Sequence, residues 1–437
     1  MNTERNQLPH HLKTRLMDQL GDQFKDYETA LTTPAPISVR LNPGKPTRHF
    51  LSEEIVPWCS LGRYLDQRPR FTLDPLFHSG TYYVQEASSM FLSHLFQELV
   101  DIEKDLRVLD LSAAPGGKAT LLQSLLSPES LLVANEVISN RNKVLHQNLI
   151  RWGGDNHIIS QSDPKAFQRL PGFFDVILVD APCSGEGLMR KEPSAINEWS
   201  LQNVQLCASR QRRILGDIEP ALAPGGLLIY STCTFSETEN EQNVRWLQDE
   251  TDLEAVTIDI PAEWGIQVLD RNLPGYRFYP HQLRGEGFFI AAFRKAAGIQ
   301  HNRQGKPANA LKYRTDRVTS EDKFWLANPD RYLFLTREQH RIAFPKSIYS
   351  DYLELSKAIR ITHSGLNMGK VYHGKLKPSP ELALSQSIGS DIPAVELDSE
   401  AALNFLAHSR LSLPVDLNHG RYLITHKSYG LGWVNLL

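Results

Sequence analysis

At 437 residues, with 41% hydrophobic and 22% charged content, the chain has room for about two to four domains and the composition of a core-forming globular protein, not of a disordered or fibrous one. Its net charge of −3 points neither toward nor away from a polyanionic partner, its four cysteines make no disulfide framework, and no apolar run approaches the ~20 residues of a membrane span. The first ten residues lack the apolar core of a signal peptide, so a cytoplasmic location with reduced thiols is expected.

Apolar residues Leu12, Leu16, Met17, Leu20, Phe24 and Tyr27 recur at spacings of three and four, which predicts one amphipathic helix from Leu12 to Leu31, ended by Pro34 and Pro36. Ile37 to Leu41 alternates as a strand, and Asn42 to Pro46 reads as a turn, giving a small N-terminal α/β module over 1–78. The pattern then alternates: a helix near Gln85 to Val100, a strand at Leu106 to Asp110, a helix from Lys118, a strand at Leu131 to Ala134 and a helix from Asn140 to Trp152. Strands His157 to Ser160 and Asp175 to Asp180, a helix from Leu201 to Leu222 and a strand at Gly226 to Tyr230 follow. This rhythm predicts an α/β domain over 79–295 built on a Rossmann-like, doubly wound parallel sheet. Leu253 to Ile258 and Gly287 to Phe293 add late strands, the second antiparallel at the sheet end.

Residues 296–318 read as a basic linker. Residues 271–320 hold ten Lys or Arg against two acids, Glu286 and Asp316, a pattern open to two readings: a solvated linker, or a strip that contacts phosphates. Tyr276, Phe278 and Tyr279, among Arg271, Arg277 and Arg284, suit base stacking or core packing equally. From 319 to 437 a separate C-terminal unit is expected, ending in a helix, Ser399 to Leu406, and strands at Tyr422 to Thr425 and Leu431 to Val434, a β-rich module.

The strand before Ser112-Ala-Ala-Pro-Gly-Gly-Lys118 runs straight through this glycine turn into a helix. Gly116 and Gly117 let the backbone approach a ligand closely, while the new helix presents unpaired N–H groups. The spacings of a P-loop and of Gly-x-Gly-x-x-Gly are both absent, so a phosphate-free adenosyl cofactor fits better. Glu136 ends the second strand, where a carboxylate meets ribose hydroxyls; Asp163 follows the third, placed for the adenine amine; Asp180 ends the fourth. A merely tight strand–helix turn is the bland alternative, weakened by these three acids.

Cys183, in Asp180-Ala-Pro-Cys-Ser-Gly-Glu-Gly187, and Cys233, in Tyr230-Ser-Thr-Cys-Thr234, each follow a strand-like apolar run, so both thiols stand where open α/β sheets bind ligands. Neither has the cysteine or histidine neighbours of a zinc site, and no metal is expected. Cys59 and Cys207 keep the usual reading of a lone cysteine as a small buried hydrophobe.

Tyr83 to Met90, Leu109 to Lys118, Asp180 to Gly187, Tyr230 to Thr234 with Glu239-Asn-Glu241, and Gly285 to Ala291 together resemble the Sun-type S-adenosylmethionine-dependent RNA cytosine-C5 methyltransferases, over about residues 80 to 295. Ala119 departs from the threonine the family often has there; Thr120 follows directly, and cofactor binding is expected to survive. The resemblance implies S-adenosyl-L-methionine held by Ala113, Ala114, Pro115, Gly116, Gly117, Lys118 and Ala119, with Glu136, Arg141, Asp163 and Asp180. It makes Cys233 the nucleophile, Cys183 the thiol that resolves the covalent product, and Lys118 and Asp180 polar members of the catalytic pocket.

The residue types suit that chemistry independently. Cytosine C5 is too weak a nucleophile to accept a methyl group until a thiolate adds at C6, and a cysteine of pKa ~8.5 is a few per cent ionised at neutral pH. A proton at ring N3 helps the addition, and Asp180 could hold or shuttle it. The base must be unpaired or flipped out, which gives flanking RNA-binding modules a purpose.

Phe324-Trp325, Ala394 to Ala402 and Gly430-Leu-Gly-Trp433 resemble the tail of the bacterial RsmF group, which methylates 16S ribosomal RNA and carries a PUA-like last domain. The chain ends at Leu437, where the group continues into a short basic segment, so an incomplete last module is expected. The implied partner is ribosomal RNA or the small subunit, met by a monomer through Leu12 to Pro75 and the basic stretch. Three alternatives stay in play: a transfer RNA cytosine-C5 methyltransferase, a silent ribosome-assembly RNA-binding protein, and a DNA cytosine methyltransferase. Intact Cys183, Cys233, Asp180 and Lys118 speak against silence, and Thr232-Cys233 speaks against DNA.

Overall fold

A ten-stranded mixed sheet forms the centre of the protein in the computed structural model, which describes residues 8–270, 273–298, 315–409 and 417–436. Its parallel part runs Leu222–Thr232, Phe174–Asp180, Arg107–Asp110, Leu131–Asn135, His157–Ser160 in spatial order. Both faces are covered, so these strands are continuous apolar runs, with Val108, Leu109, Leu132, Val133, Ile177, Leu178, Leu228 and Ile229 fully buried. One face packs on Phe91, Leu121 and Leu145, the other on Ile214, Leu215 and Ile218. The chain winds outward from Arg107–Asp110 in both directions, so the switch point lies between that strand and Phe174–Asp180, and a crevice opens beyond their carboxyl ends. Phe288–Lys295 pairs antiparallel with Leu222–Thr232, and Leu253–Val256 and Tyr276–Phe278 both pair antiparallel with it.

The single helix expected over 12–31 is two helices, His10–Leu20 and Phe24–Thr32, parted by a 3-10 turn at Gly21–Gln23 where Gly21 has φ +54°. Their apolar faces do not cover the neighbouring four-stranded sheet. Leu12, Leu16, Phe24 and Tyr27 pack instead on Met189, Trp199, Phe235 and Tyr279, beside the loops that carry the cysteines. The four-stranded sheet joins Ile55–Val56, Cys59–Leu65, Ile37–Leu41 and Tyr82–Val84, so its last strand comes from beyond residue 78.

The C-terminal region, expected as a separate unit, is joined to the central sheet. Ile361–Ser364 adds an antiparallel edge strand to His157–Ser160, and Leu335, Phe344, Ile348 and Leu355 share a core with Ile158 and Phe167. The physical reason is the strand His157–Ser160, buried throughout, whose open edge would otherwise expose unpaired backbone groups. Beyond the junction lie an antiparallel four-stranded sheet, from Tyr332–Arg337 to Lys375–Pro378, and a three-stranded one of Ala394–Glu396, Gly420–His426 and Tyr429–Leu436, on which the helix Ser399–Leu406 packs through Ala402 and Phe405. Most of the expected linker, and Arg271, lie outside the described residues. Among the described residues no helix is long and apolar enough to cross a membrane.

Candidate active site

The loop after Arg107–Asp110 enters the crevice at the switch point. Arg141 Nη2 donates to the Ala114 carbonyl at 2.7 Å, Asn148 Nδ2 donates to that of Pro115 at 2.6 Å, and buried Arg40 reaches Thr120 Oγ1 at 2.6 Å, so the turn is held from three sides. Gly116 has φ +119°, and a Cβ there would stand 3.2 Å from the Asn148 Cβ, which explains the glycine. The cleft, of about 370 Å³, is lined by Ala113, Ala114, Pro115, Gly117, Lys118, Arg141, Asp180 and Cys233, together with Tyr83, Glu86, Glu286 and Phe288. Gly116 faces the helix beneath, and Ala119 is fully buried in the core.

Glu136 is 2% exposed; its Oε1 accepts the Ile138 amide at 2.8 Å, while its Oε2 has no hydrogen bond and lies 3.5 Å from Arg141 Nη1. Glu136 is not itself among the residues that line the cleft, but a desolvated carboxylate oxygen left without a donor suits the hydroxyls of a ribose, so with the loop these residues fit an adenosyl group. Asp163 is a different case. Its exposed carboxylate caps the 3-10 helix Pro164–Arg169 and pairs with Arg213 at 3.3 Å, and it does not line the cleft.

Asp180, Lys118, Cys183 and Cys233 do come together. Lys118 Nζ lies 2.9 Å from Asp180 Oδ2, whose other oxygen accepts the Ser231 hydroxyl at 2.7 Å. Burial would pull the Lys118 pKa down, but Asp180 and then Asp110 outweigh it and the net shift is upward, so the ammonium is retained. Cys233 follows the strand Leu222–Thr232 and faces the cleft; Cys183 stands behind it, Sγ to Sγ 3.0 Å, and also accepts the Cys233 amide at 3.3 Å. The hydrogen bond to Cys233, then burial, push the Cys183 thiol well above its ordinary range, which disfavours a thiolate at Cys183. All four cysteines are free thiols, with Cys59 and Cys207 buried.

Several supporting groups escaped the sequence reading. Asp110 is fully buried without a side-chain hydrogen bond, and burial, then the charge of Asp180, push it up to about 8 against the lowering effects of Lys118 and the Ser112 backbone. Its place at a strand end was a signal equal to that of Glu136. Glu286, inside a quoted motif, lines the cleft with no hydrogen bond to its carboxylate, and burial raises it to about 7. Glu239 holds the Ser184 amide at 2.8 Å, and Glu186 holds the Phe235 amide at 3.1 Å, so each acid ties the Cys183 loop to the Cys233 loop. Arg15 and Gln19 reach in from the first helix, both to the Phe235 carbonyl at 3.2 Å, contacts no local pattern could have announced.

The stacking reading of the aromatic cluster is overturned. Tyr276, Phe278 and Tyr279 are at most 1% exposed, because they lie on or next to an inner strand of the central sheet. Of the nearby cations, Arg277 pairs with Glu241, Arg284 with Glu54 and Lys295 with Glu219 at 2.7 Å, so these described members of the basic stretch are already engaged.

The family model of 16S rRNA methyltransferase RsmB/F matches residues 97–294, and that of the N-terminal domain of 16S rRNA methyltransferase RsmF matches residues 8–87. Ribosomal RNA small subunit methyltransferase F of Cronobacter sakazakii is 32% identical over 408 residues, 87% of this chain and 83% of that protein. The protein of the same description from Vibrio cholerae is 31% identical over 451 residues, 94% of this chain and 91% of its own. Among solved structures, a methyltransferase homologue from Pyrococcus horikoshii is 29% identical with a TM-score of 0.57, over 68% of this chain and all of that one. NSun6 from the same organism, crystallised with SFG, shares the fold at 22% identity and a TM-score of 0.57, over 66% of this chain and 99% of its own. The chain belongs to the RsmB/F family of 16S rRNA methyltransferases, and with it to the S-adenosylmethionine-dependent RNA methyltransferases.

Proposed function

We propose that this chain methylates C5 of a cytosine in small-subunit ribosomal RNA, using S-adenosyl-L-methionine, through a covalent Cys233–C6 intermediate whose release Cys183 assists. The observation that carries this reading is the ordered thiol pair: Cys233 lines the cleft and Cys183 stands behind it, 3.0 Å apart.

The loop 113–119, Glu136 and Arg141 would hold the cofactor, with Asp163 joining only by turning away from Arg213. When bound, the cofactor supplies an electrophilic methyl group. Cys233 attacks C6 as a thiolate, and the Cys183 S–H and the Lys118 ammonium favour that charge. Asp180, oriented by Lys118 and Ser231, is the group to hold a proton at ring N3 while electron density moves to C5. Once C5 carries the methyl group its proton leaves to a base, the C5–C6 double bond re-forms, and the C6–S bond breaks; the charge returning to Cys233 is met by the Cys183 hydrogen bond. The ring of Phe288, 5.2 Å from Lys118 Nζ, offers the flipped base an apolar face.

For RNA, the N-terminal sheet and the terminal three-stranded sheet, taken as the PUA-like module, are the contact surfaces of this reading. The test supplies small ribosomal subunits, naked 16S RNA and transfer RNA separately with methyl-labelled S-adenosylmethionine. Label in 5-methylcytosine of small-subunit RNA is expected; label confined to transfer RNA would replace the substrate, and none in any RNA would favour the silent binding protein.

A further inference from the structure

Three imidazoles gather at the seam where the C-terminal region joins the central sheet. His146 comes from the helix Ser139–Trp152, His157 opens the strand His157–Ser160, and His363 lies on the added edge strand Ile361–Ser364. The rings of His146 and His363 are 4.6 Å apart, and His157 stacks on His363 at 5.7 Å. Glu381, from the short helix Pro380–Leu384, completes the group.

The nitrogens are not satisfied by one another. The buried Nε2 atoms of His146, His157 and His363 all lack a hydrogen-bond partner. His363 Nε2 stands 3.2 Å from Glu381 Oε1, yet the two are not aligned as a hydrogen bond. One ligand atom each from His146, His363 and Glu381 falls within 4.8 Å of the others. Atoms that are close but do not point at one another are what a shared central ion requires; bond lengths of about 2.0–2.2 Å put tetrahedral donors about 3.3 Å apart. The Glu381 carboxylate is fixed by the Asn367 amide at 3.2 Å, an outer contact of the kind that orients a ligating group. A void of about 10 Å³, lined in part by His157 and Glu381, adjoins the cluster and is the size of a single water.

We propose that His146, His363 and Glu381 bind a zinc-class divalent transition metal, which ties the edge strand and the helix Pro380–Leu384 of the C-terminal region to the helix Ser139–Trp152 of the catalytic sheet. Two imidazoles and a carboxylate form a borderline donor set suited to such an ion, with the fourth position left to water or His157. The expectation of no metal came from the cysteines alone; these ligands are spread over 235 positions, from His146 to Glu381, and no local spacing exposes them.

The test strips the full-length protein with a chelator and titrates it with Co²⁺ alone, followed by visible absorption. One equivalent should bind with the ligand-field bands of a low-coordinate site and without thiolate charge transfer, and Zn²⁺ should displace it and raise the melting temperature. His146→Ala with His363→Ala should weaken binding about 100-fold or more, and Glu381→Gln, which keeps the side chain's size, about 10-fold. Absence of a Co²⁺ spectrum in the unaltered protein would overturn the proposal, as would unchanged binding in folded Glu381→Gln. A thiolate band would place the ion at Cys183 and Cys233 instead and overturn it equally.

Discussion

Arg15, on the first helix, sets its guanidinium 2.7 Å from Glu186, a fully buried carboxylate that also accepts the Trp199 indole N–H at 2.9 Å and the Phe235 amide at 3.1 Å. The N-terminal helix pair is therefore a clamp on the two cysteine loops. Arg15→Met leaves Glu186 with neutral donors only and should lower stability by about 1–3 kcal/mol in urea unfolding, short of a fully buried pair because Arg15 keeps some exposure. Alkylation of Cys233 should become faster in the same variant.

Glu286 titrates near 7 in the folded protein against an ordinary 4.5, because burial disfavours its charge. Between those values the folded chain holds a proton that the unfolded chain has lost, so stability falls as pH rises from about 4.5 to about 7 and stays lower above. Asp110, raised to about 8 from 3.8, adds the same slope over a wider window. Glu286→Gln should thus gain on the unaltered protein by about 2–3 kcal/mol between pH 5 and pH 8, measured by unfolding at each pH.

A Cβ on Gly187 would lie 2.3 Å from the Gly287 carbonyl oxygen, and the Gly187 amide donates to the Cys233 carbonyl at 2.8 Å. Backbone meets backbone there, and no rotamer relieves it. Gly187→Ala should cost about 2 kcal/mol or more and lower methyl transfer at temperatures where the variant is still folded, checked by thermal melts beside activity.

Lys118→Met keeps most of the side chain's length but removes the ammonium that pairs with Asp180 and stands over the Phe288 ring. The fold should persist while kcat falls about 100-fold or more, with a smaller change in KM for RNA. A variant with normal kcat would remove Lys118 from the catalytic group.

The parts legible in sequence were those fixed by local pattern. Apolar runs bounded by turns located the parallel strands, and the strand ends located the glycine loop, Glu136, Asp180 and both cysteines. Asp163 also sits past a strand end, but it caps the 3-10 helix that follows and pairs at the surface with Arg213 of the helix Leu201–Ile218. Tyr276, Phe278 and Tyr279 looked suited to RNA because arginines surround them in sequence, whereas pairing with Phe288–Lys295 buries them. The edge strand Ile361–Ser364, and the reach of Arg15 to Glu186 across 171 positions, depend on tertiary packing that no short window contains.

The division of labour between the thiols is tested most directly by denaturing gel after incubation of single variants with substrate RNA and S-adenosylmethionine. Cys183→Ala should accumulate a covalent protein–RNA species, since attack by Cys233 is intact and release is impaired, while Cys233→Ala should form no adduct and transfer no methyl group. An RNA adduct trapped by Cys233→Ala, with normal turnover by Cys183→Ala, would contradict the account and reverse the two roles.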